Sequence, residues 1–442
     1  MGKHPNLPDF STYVRRFGMP SSTLTRRAVM AYGGLAASGV SAQAPSQSPM
    51  VLTVAAYPLV DEIARAALPQ WRLQYPHVEV QVQTRQYADH NTAMTTALST
   101  TVLLPDVMAI DAGLVGRFAN GGGLEDLAQA PYHAGQLRKR MVPYAYDQAI
   151  SATGRVVAMP TDIGPGTLLY RKDVLDRAGV SEEDLTRSWE SYIAAGVRIK
   201  AKTGAYLIGS VQLIKDIVIS SGLQPGQGVY FDKDSNVLVR SPRFVQAFEL
   251  AREVRKHKLD ARVTAWSNEW AEGFKRGTLA SEPTGAWMVG QLSNWIAPKT
   301  HGLWRAAQLP GGAAVAYGGS FYALPRRADP QRKAMAWEFV QFMTQNRDRQ
   351  LQAFKQYDAF PALLETHNDP FFDAPVDFLG GQKARSLWRD AAQRITAVPV
   401  HKQNTIAAEV IGTELDKVLD QGKDIPLALA DAQRLLEQRA HR

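Results

Sequence analysis

Covalent chemistry is hard to place in this 442-residue chain. Cysteine is absent, which removes thiol nucleophiles, zinc thiolate sites and disulfides. No HExxH, GxSxG, GxxxxGK[ST] or GxGxxG pattern occurs in the context its chemistry requires. Two loops imitate ligand cradles. Asp232-Lys233-Asp234-Ser235-Asn236 begins like a calcium loop. Its sixth position is Val237 where glycine is needed, and its twelfth is Arg243 where a bidentate glutamate is needed, so it reads as a hairpin turn. Gly121-Gly122-Gly123 lacks the lysine and hydroxyl of a phosphate loop. What remains are polar groups at the ends of predicted strands, Gln86, Asp111, Asp162 and Ser320, and the phenol rings of Tyr57 and Tyr87. Such groups hold a small polar guest by hydrogen bonds and ring contacts, and let it go unaltered.

These residues need a scaffold, and the chain is long enough for two lobes of ordinary size. Hydrophobic residues make up 45% and charged residues 21%, as in a soluble globular protein. The formal charge is +8, but residues 1–44 hold five Lys/Arg and one Asp, so half of that excess lies there. The remainder is too mild for nucleic acid, which selects a basic stripe. Residues 1–44 read as an export signal: Arg26-Arg27, an apolar run of thirteen residues from Ala28 to Val40, and small residues at which cleavage follows Ala42 or Ala44. The pattern Thr25 to Met30 is twin-arginine-like, with Val29 where phenylalanine is usual.

Past the leader, Val51–Ala55 predicts a buried strand, and Leu59, Ile63 and Trp71 the apolar face of a helix. Val78, Val80 and Val82 alternate as a second strand, so the first unit is a right-handed parallel crossover. A helix from Tyr87 and a strand ending at Asp111 follow. Val156–Pro160 predicts a strand, Gly164-Pro165-Gly166 a turn, and Thr167–Arg171 a returning strand. Trp266, Trp270 and Phe274 are spaced for one face of one helix. Tyr317 to Leu363 carries Gly318-Gly319, a short strand, Asp329 as N-cap with Pro330 at the first helical position, and an amphipathic helix. Three C-terminal helices are predicted at 384–396, 405–419 and 426–439.

The order of these segments resembles the extracellular solute-binding proteins of ABC importers, family 1, the carbohydrate-binding and maltose-binding-protein-like branch. The resemblance rests on Gly318-Gly319 before a strand, on Ala336-Trp337-Glu338-Phe339-Val340-Gln341-Phe342-Met343, and on Phe360-Pro361-Ala362. It also rests on Pro105-Asp106-Val107, on Tyr170 to Gly179 and on Gly285-Ala286-Trp287. Arg171 stands where that family has asparagine.

The resemblance implies an α/β protein with the two-lobe periplasmic-binding-protein fold of type II. Each lobe is a mostly parallel sheet flanked by helices, with hinge segments between them. Residues 45–161 with 313–362 would form one lobe, and 162–312 with 363–442 the other. It implies no enzyme activity and no cofactor or metal. The partners would be a small carbohydrate in the interlobe cleft and the transmembrane permease subunits, the protein being a periplasmic monomer without nucleic acid. The ligand would meet Gln86, Asp111, Asp162 and Ser320 through its hydroxyls, and Tyr57, Tyr87 and Trp287 through its ring faces. Gly318 and Gly319 would admit it to the backbone, and Asp358 would reach the same cleft. The same fold could hold a polyamine, iron or an organic anion, and a secreted glycan-active enzyme is a further alternative.

Overall fold

The computed structural model describes residues 50–440 apart from 152, 225 and 400, within the unit Ser48–Arg442. The export signal and its cleavage after Ala42 or Ala44 lie outside the described residues.

Strand β1 (Met50–Ala56) lies between two partners, with Leu52, Val54, Ala55 and Ala56 at 0% exposure and Val51 exposed. It pairs in parallel with β2 (Val78–Thr84) on one side and β3 (Val107–Asp111) on the other. The helix Val60–Gln74 makes the crossover, and its Trp71 is buried against Phe339 and Phe342. Beyond β3 the pairing changes sense. Strand β7 (Ala316–Ala323) lies antiparallel between β3 and β4 (Met159–Arg171). Strand β4 also pairs antiparallel with β5 (Ser281–Gly285) and β6 (Trp304–Ala307). The order is β2-β1-β3-β7-β4-β5, with β6 on β4. Parallel pairing joins β1–β2 and β1–β3, isolated parallel bridges join Tyr206 to Leu279 and Ile208 to Asp260, and the sheet as a whole is mixed. The reason is connectivity: β4 and β7 carry the chain out of and back into the first sheet, so they run in opposite senses.

Two expectations are corrected here. Gly164-Pro165-Gly166 does not turn the chain. It lies inside β4, which runs without a break for 13 residues. The glycines serve close approach: a Cβ on Gly164 would fall 2.1 Å from the Tyr317 carbonyl oxygen, and one on Gly166 would fall 2.9 Å from that of Val315. Proline 165 removes a donor where the β4–β7 register shifts. The position 161/162, expected to separate the lobes, falls within this continuous strand. Secondly, the helix carrying Trp270 and Phe274 begins only at Asn268, with the Ser267 hydroxyl accepting the Trp270 amide at 3.2 Å. Trp266 stands outside it.

The helix Pro330–Gln345 starts as read. The Asp329 carboxylate accepts the Gln331 amide at 2.8 Å, and Pro330 occupies the first turn. Replacing Asp329 by Ala is expected to lower stability by about 1 kcal/mol, the usual effect of a lost N-cap. A urea titration checks this, and an unshifted midpoint would mean that Pro330 alone sets the helix start. The Asp232 loop also folds as read. The Asp232 carboxylate accepts the amides of Asp234 and Asn236 at 2.9 and 2.8 Å, spending its oxygens on a turn. Arg171 has a use that asparagine could not supply. It grips Asp173 through two nitrogens at 2.8 and 2.9 Å and donates to the Phe274 carbonyl at 2.7 Å.

A second core sits on the other side of β4. It joins Leu168 and Tyr170 to the helices Trp189–Thr203, Gln212–Ser220, Pro242–Lys256, Asn404–Gln421 and Ile425–Ala440. The three C-terminal helices are all present, at 384–394, 404–421 and 425–440.

Candidate functional site

The residue after β1, the last residue of β3 and positions inside β7 and β4 bring together side chains that are far apart in sequence. Tyr57 follows β1 directly, and its hydroxyl donates to the Ser320 hydroxyl oxygen at 2.9 Å across 263 positions of chain. Ser320 is the register partner of Asp111 on one side and of Asp162 on the other. Side chains of adjacent strands at paired positions share a face, so both carboxylates stand beside the Ser320 hydroxyl. Tyr87 opens the helix after β2, packs edge-on against Tyr57 at 5.5 Å, and hydrogen-bonds the Asp111 carboxylate. Asp111 is further held by the Gly113 amide at 2.8 Å.

This cluster holds two acids and, among the described residues, neither makes an ion pair. Burial pushes the Asp162 carboxyl up to about 7, the Ser320 hydroxyl and amide pulling back and the Asp111 charge pushing further. Burial likewise raises Asp111, opposed by the Gly113 amide and Tyr87. The Tyr57 hydroxyl is raised by burial, then by the charges of Asp111 and Asp162. Acids without cations suit a neutral guest rich in hydroxyl donors: each O–H it offers favours the ionised form. They offer nothing to an anion.

Two cavities lie next along the chain segments that carry this cluster, lined by Ala112 and Gly113 after Asp111 and by Gly318 before Ser320. One of about 190 Å³ is bounded by Ala112, Gly113, Tyr144 and Gln148 on the first-sheet side and by Ser220, Leu223 and Val229 on the other. Tyr144 is 4% exposed, and its hydroxyl has no hydrogen-bond partner. A neighbouring cavity of about 230 Å³ continues along Ser220, Val315 and Ala316 to Asp216, Tyr317 and Gly318. Trp287 stands at that end. Its indole N–H donates to the Tyr317 carbonyl at 2.8 Å, which orients the ring.

Of the residues singled out from sequence, Tyr57, Tyr87, Asp111, Asp162 and Ser320 meet in one cluster, and Trp287 and Gly318 meet at the far end of the cavities. Gly318 and Gly319 have positive φ of 88° and 121°. A Cβ on Gly318 would fall 2.9 Å from the Trp287 ring nitrogen, and one on Gly319 would fall 3.0 Å from the Asp162 carbonyl. The protein's own packing thus demands glycine at both. Gln86 is exposed just before the helix that Tyr87 opens, and its side chain takes no hydrogen bond in the cluster. Asp358 caps the helix Arg347–Tyr357 with a left-handed backbone and packs on Gly290, in the short helix that follows Trp287; a Cβ added there would fall 2.8 Å from its carboxylate.

The sequence suggests no site role for Tyr144, Glu282 or Tyr317, and its spacing assigns Trp266 to a helix face. Ser267 was the available signal for Trp266, because a serine N-cap excludes the residue before it from the helix.

Known proteins share this architecture. One solved structure, an extracellular solute-binding protein of family 1, superposes with a TM-score of 0.77 at 21% identity, over 89% of this chain and 100% of that one. The binding protein of an ABC transporter from B. animalis subsp. lactis, solved with β-1,6-galactobiose, gives 0.71 at 23% identity over 88% of this chain and 97% of its own. These likenesses establish the two-lobed fold. In sequence, the lactose-binding protein of Rhizobium radiobacter is 27% identical over 295 residues, 61% of this chain and 67% of its own. An arabinooligosaccharide-binding protein of Bacillus subtilis (strain 168) is 22% identical over 283 residues, 62% of this chain and 64% of its own. The bacterial extracellular solute-binding protein model matches residues 57–350, from the tyrosine that anchors the cluster to the helix beyond β7, and the chain belongs to that family.

Proposed function

We propose that this protein binds a sugar or oligosaccharide between its lobes and delivers it to the permease of an ABC importer. The observation that carries the reading is the cation-free pair Asp111 and Asp162 joined through Ser320 to Tyr57 and Tyr87, beside the interlobe cavities. Carboxylates accept the hydroxyls of a sugar, and aromatic rings cover its apolar C–H faces. Relatives that bind lactose, arabinooligosaccharides and β-1,6-galactobiose support the choice of ligand class. The protein acts outside the cytoplasm, as its family does. We read residues 1–44 as a cleaved signal and the mature chain as a periplasmic monomer.

A thermal-shift screen of purified protein against mono-, di- and oligosaccharides, polyols and polyamines tests this. A rise in melting temperature with a saccharide, and no product released, is the expected result. A response confined to polyamines would overturn it.

We read Trp287 as the ring that stacks on the guest. Replacing it by Ala is expected to weaken saccharide binding by roughly 1–2 kcal/mol, the scale of one lost ring contact. An unchanged calorimetric titration curve would remove Trp287 from the site.

A further inference from the structure

Exposed apolar side chains gather at one end of the first sheet. Leu73 is 85% exposed, Leu103 80% and Val102 65%. Leu73 lies in the last turn of the crossover helix, close to where β1 and β2 begin; there the Met50 amide donates to the His77 carbonyl at 3.0 Å. Val102 and Leu103 lie in the loop that leads into β3. Thr101 and Leu103 hold φ of 64° and 54°, a backbone that a bulky residue adopts only under constraint. Strand β3 runs from this end to Asp111, so the Ser320 cluster sits at the opposite end.

The same end carries a cavity of about 150 Å³, walled by Ser99, Leu104, Gly121-Gly122-Gly123, Arg326 and Arg327. The glycine turn, which has no lysine in its own segment, thus meets two arginines from the segment after β7. The Arg326 amide donates to the Gly123 carbonyl at 2.8 Å and ties the two segments together. Among the described residues neither guanidinium makes an ion pair or a side-chain hydrogen bond, and the amides of Gly122 and Gly123 donate to no carbonyl. The acids beside them are engaged: Asp106 and Asp329 hold Arg332, and Glu125 holds Lys333. Gly122 has φ 68°, and a Cβ added to it would meet nothing within 4 Å, so the turn is open. Forked guanidinium groups beside free amides match a phosphate.

We propose that this end of the first lobe is a membrane-contact face that binds acidic phospholipid. The headgroup phosphate sits between Arg326, Arg327 and the glycine turn, while Val102, Leu103 and Leu73 enter the boundary of the acyl chains. The charge of the pocket complements an anionic surface, and the most exposed apolar side chains project beside it. A free phosphate would leave those side chains in water. Strand β1 also begins at this end, so the chain that follows the export signal enters the lobe here. With the Ser320 cluster at the other end of the sheet, the cleft stays open to solute while the protein is held at a bilayer.

The test is co-sedimentation of the purified protein with vesicles of phosphatidylethanolamine and phosphatidylglycerol, set against phosphatidylcholine vesicles and against inorganic phosphate. Binding is expected to the acidic vesicles alone, and it should weaken as salt is raised and charges are screened. Arg326→Ser combined with Arg327→Ser should lower the partition coefficient tenfold or more, each cation near an anionic surface being worth about fivefold. Val102→Ser combined with Leu103→Ser should lower it about tenfold, through the apolar area withdrawn from the boundary. All four positions are exposed, and the denaturation midpoint of both variants should match the wild type. Both keep residues 1–44 unchanged, so a loss reports this face and not the leader. Equal binding to phosphatidylcholine, vesicle binding unmoved in either variant, or no vesicle binding overturns the inference. So does saturable binding of inorganic phosphate without vesicle binding. None of these outcomes bears on the saccharide titration, which tests the sugar reading separately.

Discussion

Replacing Asp162 by Asn is expected to weaken saccharide binding by roughly 10- to 100-fold. That corresponds to about 1.5–3 kcal/mol, the range for a hydrogen bond to a charged acceptor. The substitution keeps shape and one acceptor oxygen but removes the charge, so the loss reports on ionisation. Its second signature is in pH. In the free protein the Asp162 carboxyl titrates near 7, chiefly through burial. A guest hydroxyl donating to the carboxylate favours the ionised form, so binding releases a proton where the group is still protonated. Affinity should rise with pH up to about 7, by at most tenfold per unit, and level off above it.

Folding stability runs the other way. The folded pKa lies above the unfolded value of about 3.9, so this group's contribution is fully present below that value and is lost as pH rises through about 7. Asp162→Asn should flatten both profiles. Titrations at pH 5.5, 6.5 and 7.5, with urea melts at the same values, check this. A variant that keeps the wild-type slope of affinity would assign the proton to another group, Asp111 being the neighbour whose carboxyl is also raised.

The second large effect is expected from Gly164→Val. The added Cβ would sit 2.1 Å from the Tyr317 carbonyl oxygen, and the obstacle is backbone, which cannot rotate aside. Strands β4 and β7 must part, and with them go the Asp162–Ser320 register and the orientation of Trp287, which bonds that same carbonyl. We expect a loss of about 3 kcal/mol, the upper end for an overpacked interior, with ligand binding lost in parallel. The denaturation midpoint and a ligand titration measure the two consequences. If stability falls but affinity is retained, the cluster does not depend on the β4–β7 pairing for its geometry.

Local elements were legible because their causes are local. The Asp329-Pro330 start and the alternation of Val78, Val80 and Val82 each set a helix or strand within a few residues of themselves. The failures share the opposite cause. Gly164-Pro165-Gly166 has the composition of a turn, yet it is strand, because the partner that needs the missing side chains lies some 150 positions later at Val315–Tyr317. Trp266 had helical spacing to Trp270, but a side-chain cap at Ser267 outranked the periodicity and left the ring exposed.

The sequence alone determined which chemistries were open: no thiol, no nucleophile motif, and a supply of acids and aromatic rings at predicted strand ends. Chain order also placed Asp111 at a strand end, whereas Asp162 and Ser320, expected at strand ends, lie inside β4 and β7. That Tyr57 reaches Ser320, that the two aspartates face each other across it without a cation, and that Arg326 and Arg327 meet the glycine turn unpaired were decided only in three dimensions. Those facts depend on strand register and on what burial leaves unpartnered, and neither is a property of any stretch of chain taken alone.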